Sequence, residues 1–224
     1  MAITLVHDCD VERRPDPTAY EGDWRDCYLE SDILGLPSGF HDGTQVAVGV
    51  IVPGGKGSEY ERRGLFLFDL NAFIPASATI TAHVWHFYVR STNAAAGHIF
   101  RAVRCRRTGW LEREATWNAW KTGSNWTSPG AGDTSDDRDA GVIDSIGTLA
   151  TPGWKAIDLR YLVDDAWDNR NGICTFIMER FDSFLTAQGE VTIDAKNYQP
   201  YGPETHHLRI TYTLDGRTFQ AFVY

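Results

Sequence analysis

The stretch ATITAHVWHFYV, residues 78–89, is long and rich in β-branched and aromatic residues. Pro75 precedes it and Ser91-Thr92-Asn93 follows it, so turn-forming residues bound the segment at both ends. Such a composition between such boundaries predicts a β-strand. The next apolar stretch is HIFRAVRCRR, residues 98–107, and the loop between the two is short. We therefore predict that these segments pair as a β-hairpin.

Further short apolar segments follow the same pattern of strands separated by Gly, Pro, Asn and Asp clusters. They are QVAVGVIV (45–52), GLFLFDL (64–70), GWKAIDL (153–159), GICTFIME (172–179), EVTIDAK (190–196) and HLRITYTL (207–214). Many short strands at this spacing predict an all-β sandwich or barrel. Apolar residues at helical spacing occur in LRYLVDDAW, which predicts one short helix at about 159–168.

The chain shows no internal repeat or low-complexity linker, so we predict one β-sandwich domain over residues 1–213. Residues 1–44 are turn-rich, and we expect them to form an irregular segment that wraps one edge of the sandwich. Residues 214–224 continue past the last core strand, and we treat them as a separate C-terminal arm.

Composition excludes several classes of protein. The 224 residues carry a formal net charge of −9, and an acidic chain without a basic cluster is unsuited to nucleic acid. Apolar runs long enough to span a membrane are absent. The N-terminal MAITLVHDCDVERRPD does not resemble a secretion signal, so we expect synthesis and assembly in the cytoplasm.

The four cysteines, Cys9, Cys27, Cys105 and Cys174, lack the spacing of a zinc site. In a reducing compartment they are expected to be thiols. A Cys9–Cys27 disulfide is the alternative if the mature protein is exposed to an oxidising environment such as air.

The segment GWLEREATWN, residues 109–118, carries a motif formed by Trp110, Glu112, Thr116, Trp117 and Asn118. A W-T-x-x-G-x-G-D step follows at 126–133, and a tryptophan strand, a short helix and a turn at Asn171-Gly172 follow at 153–179. From about residue 40 to 213, this order of motifs resembles the DNRLRE domain, also classed as carbohydrate-binding module family 96.

The resemblance implies a jelly-roll-like β-sandwich without catalytic activity, in which the five motif residues are structural. Members of the family mostly occur in secreted or cell-surface proteins, and some bind polysaccharide.

The polar segment ATWNAWKTGSNWTSPGAGD, residues 115–133, holds three tryptophans. We expect Trp117 to close the hydrophobic core. Trp120 and Trp126 lie deeper in the polar loop, where an exposed ring offers a flat surface to a sugar. These two are our candidate carbohydrate-binding residues, with capping or protein contact as the alternative.

Acidic residues supply weaker candidates. Glu112 and Glu114 would share one face of a strand, and paired carboxylates can hydrolyse glycosidic bonds. We expect them instead at a solvated strand edge, with no catalytic residues in the chain. Asp133, Asp136 and Asp137 are weak calcium candidates, because calcium prefers oxygen-rich loops but the EF-hand spacing is missing. We expect no other cofactor.

The C-terminal arm reads RTFQAFVY after an Asp215-Gly216 turn, a pattern typical of a type I′ hairpin. An added apolar strand must be covered within the domain or by another chain. We favour docking on a neighbouring subunit through Phe219, Phe222 and Tyr224.

Together these features favour a non-enzymatic structural protein of a bacteriophage particle, such as a capsid decoration, tail or fibre protein. Its expected partners are other virion subunits, with homo-oligomerisation or membership of a larger assembly. The alternatives are a polysaccharide-binding module and, third, a glycan-degrading enzyme.

Overall fold

The structure, a computed structural model, describes residues 5–6, 24–31, 38–40, 45–51, 60–93, 98–112, 114–181, 189–194 and 207–223. The strands within these ranges are β1 Leu5–Val6, β2 Trp24–Glu30, β3 Ser38–Phe40, β4 Gln45–Ile51, β5 Tyr60–Asp69, β6 Thr79–Thr92, β7 Phe100–Cys105, β8 Ala119–Lys121, β9 Ser124–Asn125, β10 Arg138–Gly147, β11 Gly153–Asp158, β12 Ile173–Arg180, β13 Gly189–Asp194, β14 His207–Leu214 and β15 Arg217–Val223. The helix α1 spans Arg160–Asn169, which confirms the predicted short helix.

Most of the strands form one curled sheet in the order β1-β15-β14-β6-β13-β4-β5-β12-β7-β10. β11 adds to β6, while β2 adds to β5 and carries β3. The pairings are antiparallel except for the short β1–β15 contact. This architecture confirms the predicted all-β sandwich with one short helix.

The main hydrophobic core fills the inside of the curled sheet. Its centre is aromatic: the ring of Phe66 lies 5.0 Å from Trp85 and 5.2 Å from Phe176, centroid to centroid. Leu162, Val163 and Ala166 of α1 close one end of this core. Alternate residues of each strand point inward, as the period of a strand requires.

The predicted hairpin between residues 78–89 and 98–107 is wrong. β6 pairs with β11, β13 and β14, whereas β7 pairs with β10 and β12 in a different part of the sheet. Glu179 of β12 lies directly opposite Arg101 of β7, and the two side chains form an ion pair. Closeness in sequence is a weaker constraint than burial, and sandwich connections commonly cross between sheets.

Of residues 1–44, where we predict an irregular segment, the structure describes 5–6, 24–31 and 38–40, and these residues form strands almost throughout, whereas the others lie outside the described residues. β2 lies inside this region and pairs with β5 along its whole length, from Trp24 opposite Phe68 to Glu30 opposite Arg62. Cys27 and Leu29 of this strand are fully buried. The segment WRDCYLE mixes charged and apolar residues and lacks a clear strand pattern. It forms a strand because it pairs with β5, which the sequence alone does not reveal.

The helix α1 is capped by a residue from a distant strand. Asp144 of β10 accepts hydrogen bonds from the backbone N–H groups of Tyr161 (3.2 Å) and Leu162 (2.9 Å). Burial raises the pKa of Asp144, while these backbone hydrogen bonds act in the opposite direction. The carboxylate satisfies N–H groups that every helix leaves open at its first turn. This contact fixes the start of α1 against the sheet.

Candidate functional site

The tryptophan-rich segment forms a lid over the outer side of the sheet. It covers a second hydrophobic core, which includes Leu65 and Leu67 of β5 and Ile177 of β12. Trp110 is fully buried there, and its indole N–H donates to the hydroxyl of Thr175 over 3.0 Å. The sheet is therefore covered on both sides at this point, which explains why a polar segment contains these rings.

Trp126 is one of the core residues of this lid. It is 4% exposed, and its indole N–H donates to the carbonyl oxygen of Thr116 over 2.9 Å. A ring enclosed in this way has no free face for a sugar. The structure thus argues against the predicted role of Trp126 as a sugar platform and gives it the core-closing role that we assigned to Trp117.

Trp117 and Trp120 lie at the margin of the second core and are partly buried. The ring of Trp117 packs on Gly130, where an added Cβ would come within 2.5 Å of it. The ring of Trp120 has the Lys121 ammonium 4.6 Å from its centroid. Trp117 and Trp120 therefore both pack against the edge of the second core, and both keep some accessible surface.

The remaining motif residues organise the lid. The hydroxyl of Thr116 accepts the N–H of Ala119 at 3.1 Å, and the carbonyl of Asn118 accepts the N–H of Trp126 at 3.0 Å. Glu112 is fully buried, whereas the carboxylate of Glu114 accepts the backbone N–H of Thr122 at 2.8 Å. Residues 110–118, apart from Arg113, which lies outside the described residues, form turns and not a strand, so the expected solvated strand edge is absent.

The carboxylates of the acidic loop bind backbone N–H groups. Asp137 is fully buried and accepts from Thr127 (3.0 Å) and Ser128 (2.9 Å). Asp133 accepts from Ser135 and Asp136, each at 2.8 Å. Within the described residues, His, Cys, Asp and Glu side chains form no group of three or more suited to a metal ion. The loop is thus built around its own backbone, and its aspartates fix the lid.

A buried ionic cluster lies beside the lid, on the same side of the sheet. Glu179 of β12 contacts Arg63 (3.6 Å), Arg101 (2.6 Å) and Arg138. Burial by itself would raise the pKa of Glu179, but the surrounding guanidinium groups outweigh it and lower the pKa. The carboxylate therefore links β5, β7, β10 and β12 as a charged structural centre.

An aromatic surface lies on the opposite outer side, over β11, β6, β14 and β15. We call it the outer aromatic face and define it by Tyr88, Trp154, His86, His207 and Phe222. Strand register brings them together, because Trp154 stands opposite Tyr88 and His207 opposite His86. The side chains form two groups in contact: Tyr88 and Trp154, with centroids 5.5 Å apart, and His86, His207 and Phe222, with centroid distances of 4.8 Å for His86–His207 and 5.4 Å for His207–Phe222.

Trp154 makes this face accessible, and Arg209 adds a positive charge to the same side of the sheet, since it stands opposite Phe222. Trp154 is 46% exposed. Burial, followed by the positive charge of His207 and Arg209, lowers the pKa of His86 to about 4, so His86 is neutral at pH 7. At one margin Arg90 makes a bidentate ion pair with Asp194, at 2.6 and 3.0 Å. Aromatic centres with charged margins are typical of binding surfaces.

The C-terminal arm contributes to both sides of the sheet. β15 pairs with β14 through the predicted turn, in which Asp215 (φ 51°) and Gly216 (φ 74°) take the positive φ values of a type I′ hairpin. Phe219 stacks on Tyr212 in the main core, with centroids 5.4 Å apart, and Ala221 and Val223 are buried there. Phe222 points outward, while Tyr224 lies outside the described residues. Of the predicted docking residues, Phe222 therefore has the outward position.

Apart from Phe222, the residues of the outer aromatic face are not among those predicted from the sequence, because they lie on different strands. Tyr88 and His86 belong to a segment that was interpreted only as a strand, and Trp154 was part of a family motif. Alternation along residues 84–90 carried a usable signal, since Trp85, Phe87 and Val89 point inward and leave His86 and Tyr88 outside.

The cysteines have structural positions where the structure describes them. Cys27, Cys105 and Cys174 are buried, and burial raises the pKa of the Cys105 thiol to about 12. Cys9 lies outside the described residues, so a Cys9–Cys27 pairing stays a prediction. A helix long and apolar enough to cross a membrane does not occur among the described residues.

Comparison with known proteins gives no family assignment. No protein-family model matches the chain, and no curated protein is significantly similar to it.

Proposed function

We propose that this chain is a non-enzymatic binding and assembly protein, and specifically a structural component of a bacteriophage particle such as a capsid decoration, tail or fibre protein. It contacts its neighbours in the particle through the outer aromatic face. The resemblance to the DNRLRE domain is the sequence argument for this proposal.

The observation that carries the proposal is the exposure of Trp154 on the outer aromatic face. The second core has its own lid, whereas Trp154 is 46% exposed. Aromatic residues at the centre of a surface contribute a large share of binding energy in protein interfaces. An acidic chain with a net charge of −9 would stay soluble until such a face is occupied.

Mass spectrometry of purified phage particles tests the first part of this proposal, because a virion component must be found there in fixed stoichiometry. In a reconstitution with particles that lack the protein, Trp154→Ala and Phe222→Ala should each lower incorporation by roughly tenfold or more. Tyr161→Ala is the matched control, since Tyr161 is 64% exposed but lies on α1, away from this face. Absence from particles, or an equal loss with Tyr161→Ala, would contradict the proposal.

A second candidate is polysaccharide binding, which the exposure of Trp154 next to Tyr88 favours. Their rings stand edge to face, at an interplanar angle of 76°, so one indole face is available for the apolar side of a sugar ring. A glycan array separates the two candidates. Saturable glycan binding that Trp154→Ala removes and Phe222→Ala preserves would favour the polysaccharide function.

A further inference from the structure

The register of the sheet arranges the outer aromatic face in rows that run across the strands. Four strands lie side by side here, in the order β15-β14-β6-β11, and their outward side chains stand directly opposite one another. One row, which we call the charged row, consists of Phe222, Arg209, Val84 and Asp158. The next row along the strands carries His207, His86 and Ala156.

Arg209 contributes a positive charge that has no ion-pair partner among the described residues. It is half-buried between Phe222 and Val84, and its guanidinium group stays charged at any working pH. At the margin of the same face, by contrast, Arg90 is paired with Asp194 at 2.6 and 3.0 Å. A guanidinium group among apolar neighbours is suited to binding a carboxylate from another molecule.

Asp158 carries a negative charge at the other end of the charged row. Its neighbours Ile157 and Leu159 pack against the main core, so its own side chain is directed outward and is 68% exposed. Its carboxylate lies 3.6 Å from Nδ1 of His83, which is longer than a hydrogen bond. Because β6 separates the strands of Arg209 and Asp158 by about 10 Å, the two charges do not pair within one chain.

We propose that the outer aromatic face binds the same face of a second copy of this chain, around a two-fold axis that runs along β6. Rotation about this axis places β14 of each copy over β11 of the other, so that Arg209 meets Asp158 of the second copy and the reverse contact forms with it. In the next row the large His207 lies over the small Ala156. A two-fold interface must be complementary to itself, and this row pattern is. The inference rests on the proposed role of this face in assembly and names its occupant.

The residues on the axis are compatible with this arrangement. Val84, His86 and Tyr88 of β6 would each face their own copy. Burial, followed by the charges of His207 and Arg209, lowers the pKa of His86 to about 4, so two neutral imidazoles meet there at pH 7. An axis across the strands at His86 would instead place Asp158 over Trp154 and leave Arg209 without a carboxylate.

The size of the face predicts a reversible dimer. Residues 82–88 of β6 extend about 20 Å, and four neighbouring strands cover about 19 Å. Two sheets can pack face to face over such an area with their strands nearly aligned. The area is at the lower end for specific protein interfaces, so we expect a dissociation constant of roughly 1–100 µM.

The experiment is sedimentation velocity of the full chain at pH 7, at concentrations from about 1 to 500 µM, a range that brackets the expected dissociation constant. Arg209→Asp and Asp158→Arg should each weaken the dimer by roughly tenfold or more, because like charges then meet at both ends of the charged row. Mixing the two variants should restore the dimer, since both contacts then join one carboxylate to one guanidinium group. This recovery cannot arise from misfolding.

The matched controls are Arg217→Asp and Asp168→Arg, which reverse a charge at exposed positions outside the rows. Each changes the net charge by as much as the corresponding test variant, and both should leave the dissociation constant unchanged. A chain that stays monomeric at all concentrations, an equal loss in the controls, or a mixture of the two test variants that stays monomeric would each overturn the inference.

The same measurements separate this inference from the function on which it rests. A monomeric chain that is nevertheless found in phage particles, with incorporation lowered by Trp154→Ala, would overturn the second copy as occupant and support the virion role. A dimer that the mixed variants restore would support the inference even if the chain is absent from particles, which would contradict the virion role alone.

Discussion

At the scale of single residues, the tryptophans of the lid differ in burial although they share one polar segment. Trp126 is 4% exposed and hydrogen-bonded, while Trp120 lies at the margin of the second core. Residue type and neighbours in sequence do not distinguish them. What distinguishes them is the turn at 116–118, where the carbonyl oxygens of Thr116 and Asn118 accept the indole and backbone N–H groups of Trp126 and hold it in the second core.

Replacing Trp126 by alanine should lower the free energy of unfolding by about 3–5 kcal/mol, the usual cost of removing a large buried aromatic ring. Trp120→Ala is the matched control and should cost less than half as much. Denaturant unfolding measures both losses, provided that the slope of the unfolding free energy against denaturant concentration is the same in both variants and the unchanged protein. A larger loss for Trp120→Ala would show that the lid packs in a different way.

Glu179 gives a prediction about acid stability. Its pKa is lowered in the folded protein, so its contribution is present above the ordinary value of 4.5 and is lost as pH falls through the lower folded value. Glu179→Gln should destabilise the protein by about 3–5 kcal/mol at pH 7, since it leaves buried guanidinium groups uncompensated.

The same substitution should also flatten the loss of stability below pH 4.5. Unfolding free energies of both proteins between pH 7 and pH 3 measure this difference. If the unfolding free energies of the two proteins fall in parallel between pH 7 and pH 3, Glu179 does not titrate in this range.

At the scale of elements, the C-terminal hairpin depends on the backbone conformation of its turn. Gly216 has a φ of 74°, and an added Cβ would meet nothing within 4 Å. Gly216→Ala should therefore cost about 1–2 kcal/mol through backbone strain alone. Gly141 is the matched control, because its surroundings are equally open and its φ is not positive. Thermal unfolding should show a loss for Gly216→Ala and none for Gly141→Ala, and equal effects would contradict this explanation.

At the scale of the whole molecule, the C-terminal arm belongs to the main core. Deleting residues 215–224 removes the buried Ala221 and Val223 and the partner of Tyr212. A buried valine contributes roughly 1.5–3 kcal/mol and a buried alanine methyl group about 0.8 kcal/mol, against a total stability of roughly 5–15 kcal/mol. We expect the truncated chain to lose its cooperative unfolding transition and its near-UV circular dichroism.

Phe222→Ala is the control for this deletion, since it changes only the outward side of β15. It should unfold like the full chain. If the truncated protein unfolds with the same cooperative transition as the full chain, the arm is an appendage that serves assembly alone.

The sequence by itself determined the elements whose signal is local. Alternation and turn residues predicted most of the strands, helical spacing predicted α1, and Asp215-Gly216 predicted the type I′ turn, because each depends on neighbouring side chains and backbone sterics. Only the tertiary structure decided the partners. β6 and β7 separate into different parts of the sheet, Trp126 is buried, and His86, Tyr88 and Trp154 meet on one outer face. The physical reason is that pairing and burial depend on residues far apart in the chain, whose meeting is set by the closing of the whole sheet around its core.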